Sequence, residues 1–208
     1  MESIYGKYRD ILPEVMDILV SKINALNSRQ KEETGEGIYE HFIYRIKGED
    51  SMREKCQRKH LPVTTASALG EIHDAIGCRI VCSFVDDIYK IADYLKKQDD
   101  ITVINEKDYV ASPKENGYRS YHMIIRMEVP FEDFRGNIPG QYDAEIQLRT
   151  IAMDSWAALE HQVKYKKNLN DTNLALITSE LKRCADELAS CDLSMQTIRN
   201  LIKEENND

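Results

Sequence analysis

A buried strand running straight into an amphipathic helix constrains this chain most. Residues 78–85, CRIVCSFV, are almost continuously apolar, and residues 86–98, DDIYKIADYLKKQ, space their apolar positions as one helix face does. The first pattern suits a strand covered on both sides, the second a helix laid on a core. The helix opens on Asp86 and Asp87 and closes on Lys96 and Lys97, the charge order that its macrodipole favours. ITVINEKDYV (101–110), YHMIIRMEVP (121–130) and DAEIQLRT (143–150) read as three further strands. Strand, helix and more strands in this order predict an α/β (α+β) fold, a mixed β-sheet flanked by helices.

The rest of the chain frames that centre. Tyr8, Ile11, Leu12, Val15, Met16, Leu19, Ile23 and Leu26 predict a helix over 7–28, with Pro13 marking a first turn or a kink. QKEETGEGI (30–38) reads as a loop. YEHFIYRI is a short apolar piece, and a cationic helix-like segment follows it. A helix is expected over 151–167, and one long helix or two over 173–205. We expect a single domain over 1–208, with a core of about 40–167 and terminal helices at 1–30 and 172–205. An apolar share of 42% can fill a sizeable core. No run approaches the roughly 18 apolar residues of a membrane helix. MESIYGKYRD lacks the apolar centre of a signal peptide, and five cysteines in no regular framework suit a reducing cytosol. Cys78 and Cys82 would stand roughly 13 Å apart on a strand at about 3.3 Å per residue, too far for one zinc ion. They read as packing residues. A net charge of -8 argues against broad nucleic-acid binding but leaves room for a local basic pocket.

Several familiar motifs are incomplete. There is no G-x-x-x-x-G-K-[ST] loop and no G-x-S-x-G elbow, and GEGIYE lacks the third glycine of G-x-G-x-x-G. His73-Asp74 is a dipeptide of metal-dependent phosphohydrolases, but no upstream histidine with acidic neighbours accompanies it. Other features carry more. Arg45, Lys47, Arg53, Lys55, Arg58, Lys59 and His60 fall within 16 residues of an acidic chain. They form either a solvated face balanced by Glu49, Asp50 and Glu54 or a cradle for a triphosphate. Ser51, four residues before Lys55, would share its helix face. Asp74 precedes the buried strand and is either a magnesium ligand or a turn residue. Glu145, Gln147 and Arg149 alternate with Ile146 and Leu148, so period two puts the polar three on one face. That face is either plain solvent surface or a site. Tyr118, Ser120 and His122 would behave alike if their strand begins at Tyr118, with Arg119 and Tyr121 opposite. Asn116-Gly117 supplies a turn before them.

HDAIGCRIVCSF, EKDYVASPKENGYRSYH and EIQLRTIAMDSWAALEHQVKYKK, in this order, resemble the synthetase domain of RelA/SpoT-homologue enzymes over roughly residues 40–167. The chain is most similar in kind to the stand-alone small alarmone synthetases of the RelQ type. That resemblance implies a nucleotidyltransferase (polymerase-β-like) fold. It implies transfer of the β,γ-pyrophosphate of ATP to the 3′-hydroxyl of GDP or GTP, giving ppGpp or pppGpp and AMP in the stringent response, without hydrolase activity. It also implies Mg2+ as cofactor, a cytoplasmic homotetramer, and these residue roles. Arg45, Lys47, Ser51 and Lys55 match the ATP-phosphate segment, Arg58 belongs with the ATP-binding residues, and Arg45 and Arg79 sandwich adenine. Asp74 matches a magnesium ligand, and Glu145 the acid that binds magnesium or activates the 3′-hydroxyl. Lys107, Lys114, Asn116 and Tyr118 match the acceptor loop, where the tyrosine stacks on guanine and Asn116 reaches its edge. His122 and Gln147 line the same pocket.

The chain departs from the family in places. Tyr44 precedes Arg45 where glycine is common, and Tyr121 stands where leucine is common. His41 and Ile43 occupy positions where RelQ-type enzymes carry Phe and Thr in an allosteric (p)ppGpp site, so the resemblance carries catalysis over to this chain but not product activation. Two other functions compete: an inactive nucleotide-sensing or RNA-binding relative, and a nucleotidyltransferase that releases pyrophosphate. The apolar stripes of the terminal helices point either to a homo-oligomer or to packing on the protein's own core, because such a stripe needs cover.

Overall fold

The computed structural model describes residues 2–164 and 171–205. A five-stranded mixed sheet forms the centre, in the order β1 (His41–Ile46), β2 (Ile76–Cys82), β5 (Gly140–Thr150), β4 (Tyr121–Val129) and β3 (Ile101–Asp108). Only the β2/β5 pair is parallel. Helices α1 (Ile11–Thr34), α2 (Glu49–Arg58), α3 (Val85–Lys96), α4 (Ile151–Lys164) and α5 (Asp171–Glu205) surround it.

Period two sorts the sheet into two faces. Tyr121, Met123, Ile125, Met127 and Val129 of β4 are buried, as are Tyr142, Ala144, Ile146 and Leu148 of β5 and Ile76, Cys78, Ile80 and Cys82 of β2. They share one core with Leu12, Val15, Leu19 and Ile23 of α1 and Ile88, Ile91 and Leu95 of α3. Cys78 and Cys82 are buried free thiols, the packing residues their spacing predicts. Tyr121 also packs, with its ring 5.8 Å from Tyr89.

Several element boundaries differ from those the sequence predicts. Pro13 lies in the first turn of α1, where a missing N–H leaves no helical bond unmade. The polar run after residue 30 continues that helix to Thr34 instead of forming a loop. Gly35 ends it, left-handed at φ 78°, with its N–H on the Lys31 carbonyl at 2.9 Å. The strand expected from Cys78 starts at Ile76 and stops at Cys82. β4 starts at Tyr121, so Tyr118 and Ser120 lie before it. Of the helix expected over 151–167, the last three residues fall outside the described residues.

α5 is one helix, fastened at several points. Trp156 of α4 donates its indole N–H to the Leu181 carbonyl at 2.8 Å. Thr150 Oγ1 donates to Asp192 Oδ2 at 2.6 Å, and Arg199 Nη1 to Asp87 Oδ2 of α3 at 2.6 Å. Ala185, Gln196 and Arg199 point inward, whereas Leu174, Met195, Ile198, Leu201 and Ile202 are exposed. The expected stripe is therefore half-buried at Ile177, Leu181, Cys184 and Leu188 and exposed at Leu174, Cys191, Met195, Ile198 and Leu201.

Candidate active site

Strand register assembles the polar face. Ile43, Arg79, Gln147, His122 and Lys107 stand opposite one another across β1, β2, β5, β4 and β3. The next row is Arg45, Gly77, Glu145, Ile124 and Asn105. Neighbouring strands lie about 4.8 Å apart, so six expected site residues, distant in sequence, become neighbours on one surface: Arg45, Arg79, Glu145, Gln147, His122 and Lys107. Arg45, Arg79, Glu145 and Gln147 line one cleft with Ile43 and Gly77.

Beside that cleft lies a cluster of charges. Lys47 follows β1, and Lys55 sits on α2. Both ammonium groups donate to Asp74 Oδ2, at 3.1 and 2.5 Å. Burial pushes the Asp74 carboxyl up, but the hydrogen bonds and charges of Lys55 and Lys47 outweigh it and hold it below its ordinary value. Asp74 Oδ1 is buried without a hydrogen-bond partner. Two cations on one carboxylate leave an excess positive charge, which suits a phosphate chain. Ser51 and Arg58 are exposed on α2, and their spacing from Lys55 puts all three along one side of that helix. The N-terminal segment backs this cluster: Tyr5 donates to the Lys47 carbonyl at 2.6 Å, and Ser3 to Glu49 at 2.9 Å.

On the other side lies an aromatic and cationic loop. Gly117, at φ 89°, turns the chain, with its N–H on the Lys114 carbonyl at 2.8 Å. Asn116 accepts from the Tyr118 N–H at 3.2 Å and donates to Glu160 of α4 at 3.1 Å. Its amide thus fastens the loop. Tyr118 OH lies 2.8 Å from His122 Nε2, so these two meet although Tyr118 is outside the strand. Ser120 does not join them: it is buried and donates to the Leu148 carbonyl at 3.2 Å. Lys114 Nζ lies 4.7 Å from the Tyr109 ring centre and 4.8 Å from that of Tyr118, within cation–π range. His122 is pushed down to about 4, first by burial and then by the charges of Arg149, Lys114 and Lys107. It is a neutral imidazole at physiological pH.

The structure adds residues that sequence reasoning left without a role. Arg149 donates to Tyr118 OH at 2.8 Å, and Asp154 of α4 holds Arg149 in turn at 2.8 Å. The alternation of Arg149 with Glu145 and Gln147 was the available signal. Tyr109 packs edge-on to Tyr118 and His122, at 6.0 and 5.5 Å between ring centres.

The donor set fits a hard divalent cation. Asp74 Oδ1 is an unpartnered carboxylate oxygen, and Glu145 lies one strand away from the β2 segment that Asp74 precedes. Among the described residues no group of three or more His, Cys, Asp or Glu could hold a metal alone. An ion here would complete its shell with water and substrate phosphates, the habit of magnesium.

Comparison with known proteins agrees with this architecture. A family model described as "Region found in RelA / SpoT proteins" matches residues 44–170. The GTP pyrophosphokinase YwaC of Bacillus subtilis is 40% identical over 187 residues, covering 90% of this chain and 86% of that protein. The crystal structure of small alarmone synthetase 2 from Bacillus subtilis superposes with a TM-score of 0.75 at 36% identity, covering 91% of this chain and 95% of that one. Small alarmone synthetase 1 from the same organism, bound to its product pppGpp, gives 0.75 at 30% identity, covering 92% and 94%. The chain belongs to the RelA/SpoT family and groups with its small alarmone synthetases.

Proposed function

We propose that this protein is a GTP pyrophosphokinase making ppGpp or pppGpp and AMP from ATP and GDP or GTP. The observation that carries this reading is the placement of Glu145 on one sheet face between a lysine-rich cluster and an aromatic, cationic loop. Two polyanionic nucleotides need such flanking positive charge, because phosphoryl-type transfer depends mainly on positioning and charge neutralisation. On the donor side, Arg45 and Arg79 hold adenine, while Lys47, Lys55, Ser51 and Arg58 hold the phosphates. On the acceptor side, Tyr118 stacks on guanine beside Lys114, Lys107, His122 and Gln147, and Asn116 fixes the loop and reaches the edge of the base. The acceptor 3′-oxygen forms a bond to Pβ of ATP, the bond from Pβ to the oxygen bridging Pα breaks, and AMP leaves with that oxygen. Glu145 takes the hydroxyl proton. Asp74 and Glu145 would hold Mg2+, which when bound neutralises phosphate charge.

The exposed apolar residues of α5 support a homo-oligomer, and we propose a tetramer in the cytoplasm, acting as one functional unit from the N-terminal helix to α5. No described helix is long and apolar enough to cross a membrane. Replacing Glu145 by Gln removes the proton acceptor and keeps the shape. Transfer should fall by about 10²–10⁴-fold while the melting temperature stays within a few degrees. Near-normal AMP release by Glu145→Gln would exclude that role. Failure of the unaltered protein to release AMP would favour an inactive nucleotide-binding relative.

A further inference from the structure

The two pockets share one carboxylate. Asp154, in the first turn of α4, holds Arg149 Nη1 at 2.8 Å with Oδ1, and the same oxygen stands 3.6 Å from Arg79 Nη1. Arg149 is only 5% exposed and directs its remaining donors to the acceptor side. Its Nη2 donates to Tyr118 OH at 2.8 Å and to Gln147 Oε1 at 3.3 Å, and its Nε to Ser120 Oγ at 3.4 Å. Its guanidinium also lies 5.4 Å from the Tyr118 ring centre. Arg79, on the donor side, is half-exposed, and its Nε has no hydrogen-bond partner. Contacts therefore run from Arg79 through Asp154 and Arg149 to Tyr118 and His122.

The two ends of this chain differ in strength. A buried guanidinium needs a counter-charge, and its planar fork transmits orientation. The Arg79 contact is longer and more exposed, so it is the weaker hold. A donor nucleotide that engages Arg79 would draw it from Asp154. The carboxylate would then serve Arg149 alone and hold Tyr118 more firmly.

Resting on the synthetase reading above, we propose that Asp154 is a positioning residue shared by both nucleotide sites: it fixes the guanine-side tyrosine through Arg149 and makes that fix responsive to the donor nucleotide through Arg79. The two nucleotides then bind with positive coupling, which must be reciprocal.

Calorimetric titration tests this without turnover. GDP is titrated with and without α,β-methylene-ATP, whose Pα–Pβ link cannot be cleaved. In the unaltered protein the analogue should tighten GDP by about fivefold or more. In Asp154→Asn, GDP alone should bind more weakly, and the analogue should change its affinity less than about twofold; Asp154→Glu should restore part of both effects. If Asp154→Asn does not fold, Arg149→Lys, which keeps the charge and loses the fork, should show the same loss of coupling. No coupling in the unaltered protein, or full coupling in the folded variants, overturns the proposal. Absence of AMP from ATP and GDP would instead strike the synthetase reading, and the binding data would stand apart from it.

Discussion

His122 illustrates how a residue's chemistry is set by its surroundings. Buried among Arg149, Lys114 and Lys107, its imidazole is held near 4, well below its ordinary 6.5. The folded state therefore refuses a proton that the unfolded chain accepts as pH drops below about 6.5. This contribution to stability is complete above that pH and is lost as pH falls toward about 4. Urea titrations at several pH values should show the unaltered protein losing more stability across that window than His122→Gln. Parallel curves would mean that His122 is not held neutral. Histidine beside Tyr118 was legible as a candidate, because both stand in one polar octet. Its depressed basicity was not, since Lys107 and Arg149 reach it only through strand register. Period two tells which side chains share a face, but pairing between strands decides which of them meet.

At the level of elements, the acceptor loop is shaped by α5, far away in sequence. A Cβ at Gly117 would stand 2.5 Å from Ala185 Cβ and 3.3 Å from Lys182 Cα, on a backbone at φ 89°. Gly117→Ala should cost about 1–3 kcal/mol. It should also raise the KM for GDP more than that for ATP, because the displaced loop carries Tyr118. Adding Ala185→Gly should relieve the contact but not the backbone strain, restoring part of the loss. An unaltered GDP KM in Gly117→Ala would separate α5 from the acceptor site. Asn-Gly announces a turn in the sequence. The need for glycine against a helix is invisible there, because the contact spans 68 positions, from Gly117 to Ala185. α1 teaches the reverse. Its last polar turn resembles a loop in composition, yet nothing stops a helix before Gly35.

At the level of the whole molecule, the strand patterns and the α3 period marked four of the five strands and the helix beside them, but not β1, which read only as a short apolar piece, nor the order of the strands. The terminal helix was legible as a stripe but not in its orientation. α5 turns Ala185, Gln196 and Arg199 inward, because Asp87, Asp86 and Trp156 offer polar and aromatic partners there. Met195, Ile198 and Ile202, spaced along one helix face, remain outside at 57%, 50% and 54% exposure. If they join copies of the chain, Ile198→Glu with Ile202→Glu should bring the light-scattering mass down to that of one chain. An unaltered protein already at that mass would exclude the assembly.

The central claim is intact transfer of a pyrophosphate group between two nucleotides held on one sheet face. It is tested most directly by incubating the protein and magnesium with GDP and ATP labelled in either the β- or the γ-phosphate. Both labels should appear in equal amount in a guanosine product carrying a new 3′-diphosphate, with AMP formed one for one. Label arriving from the γ-phosphate alone, or released as free pyrophosphate, would contradict the account.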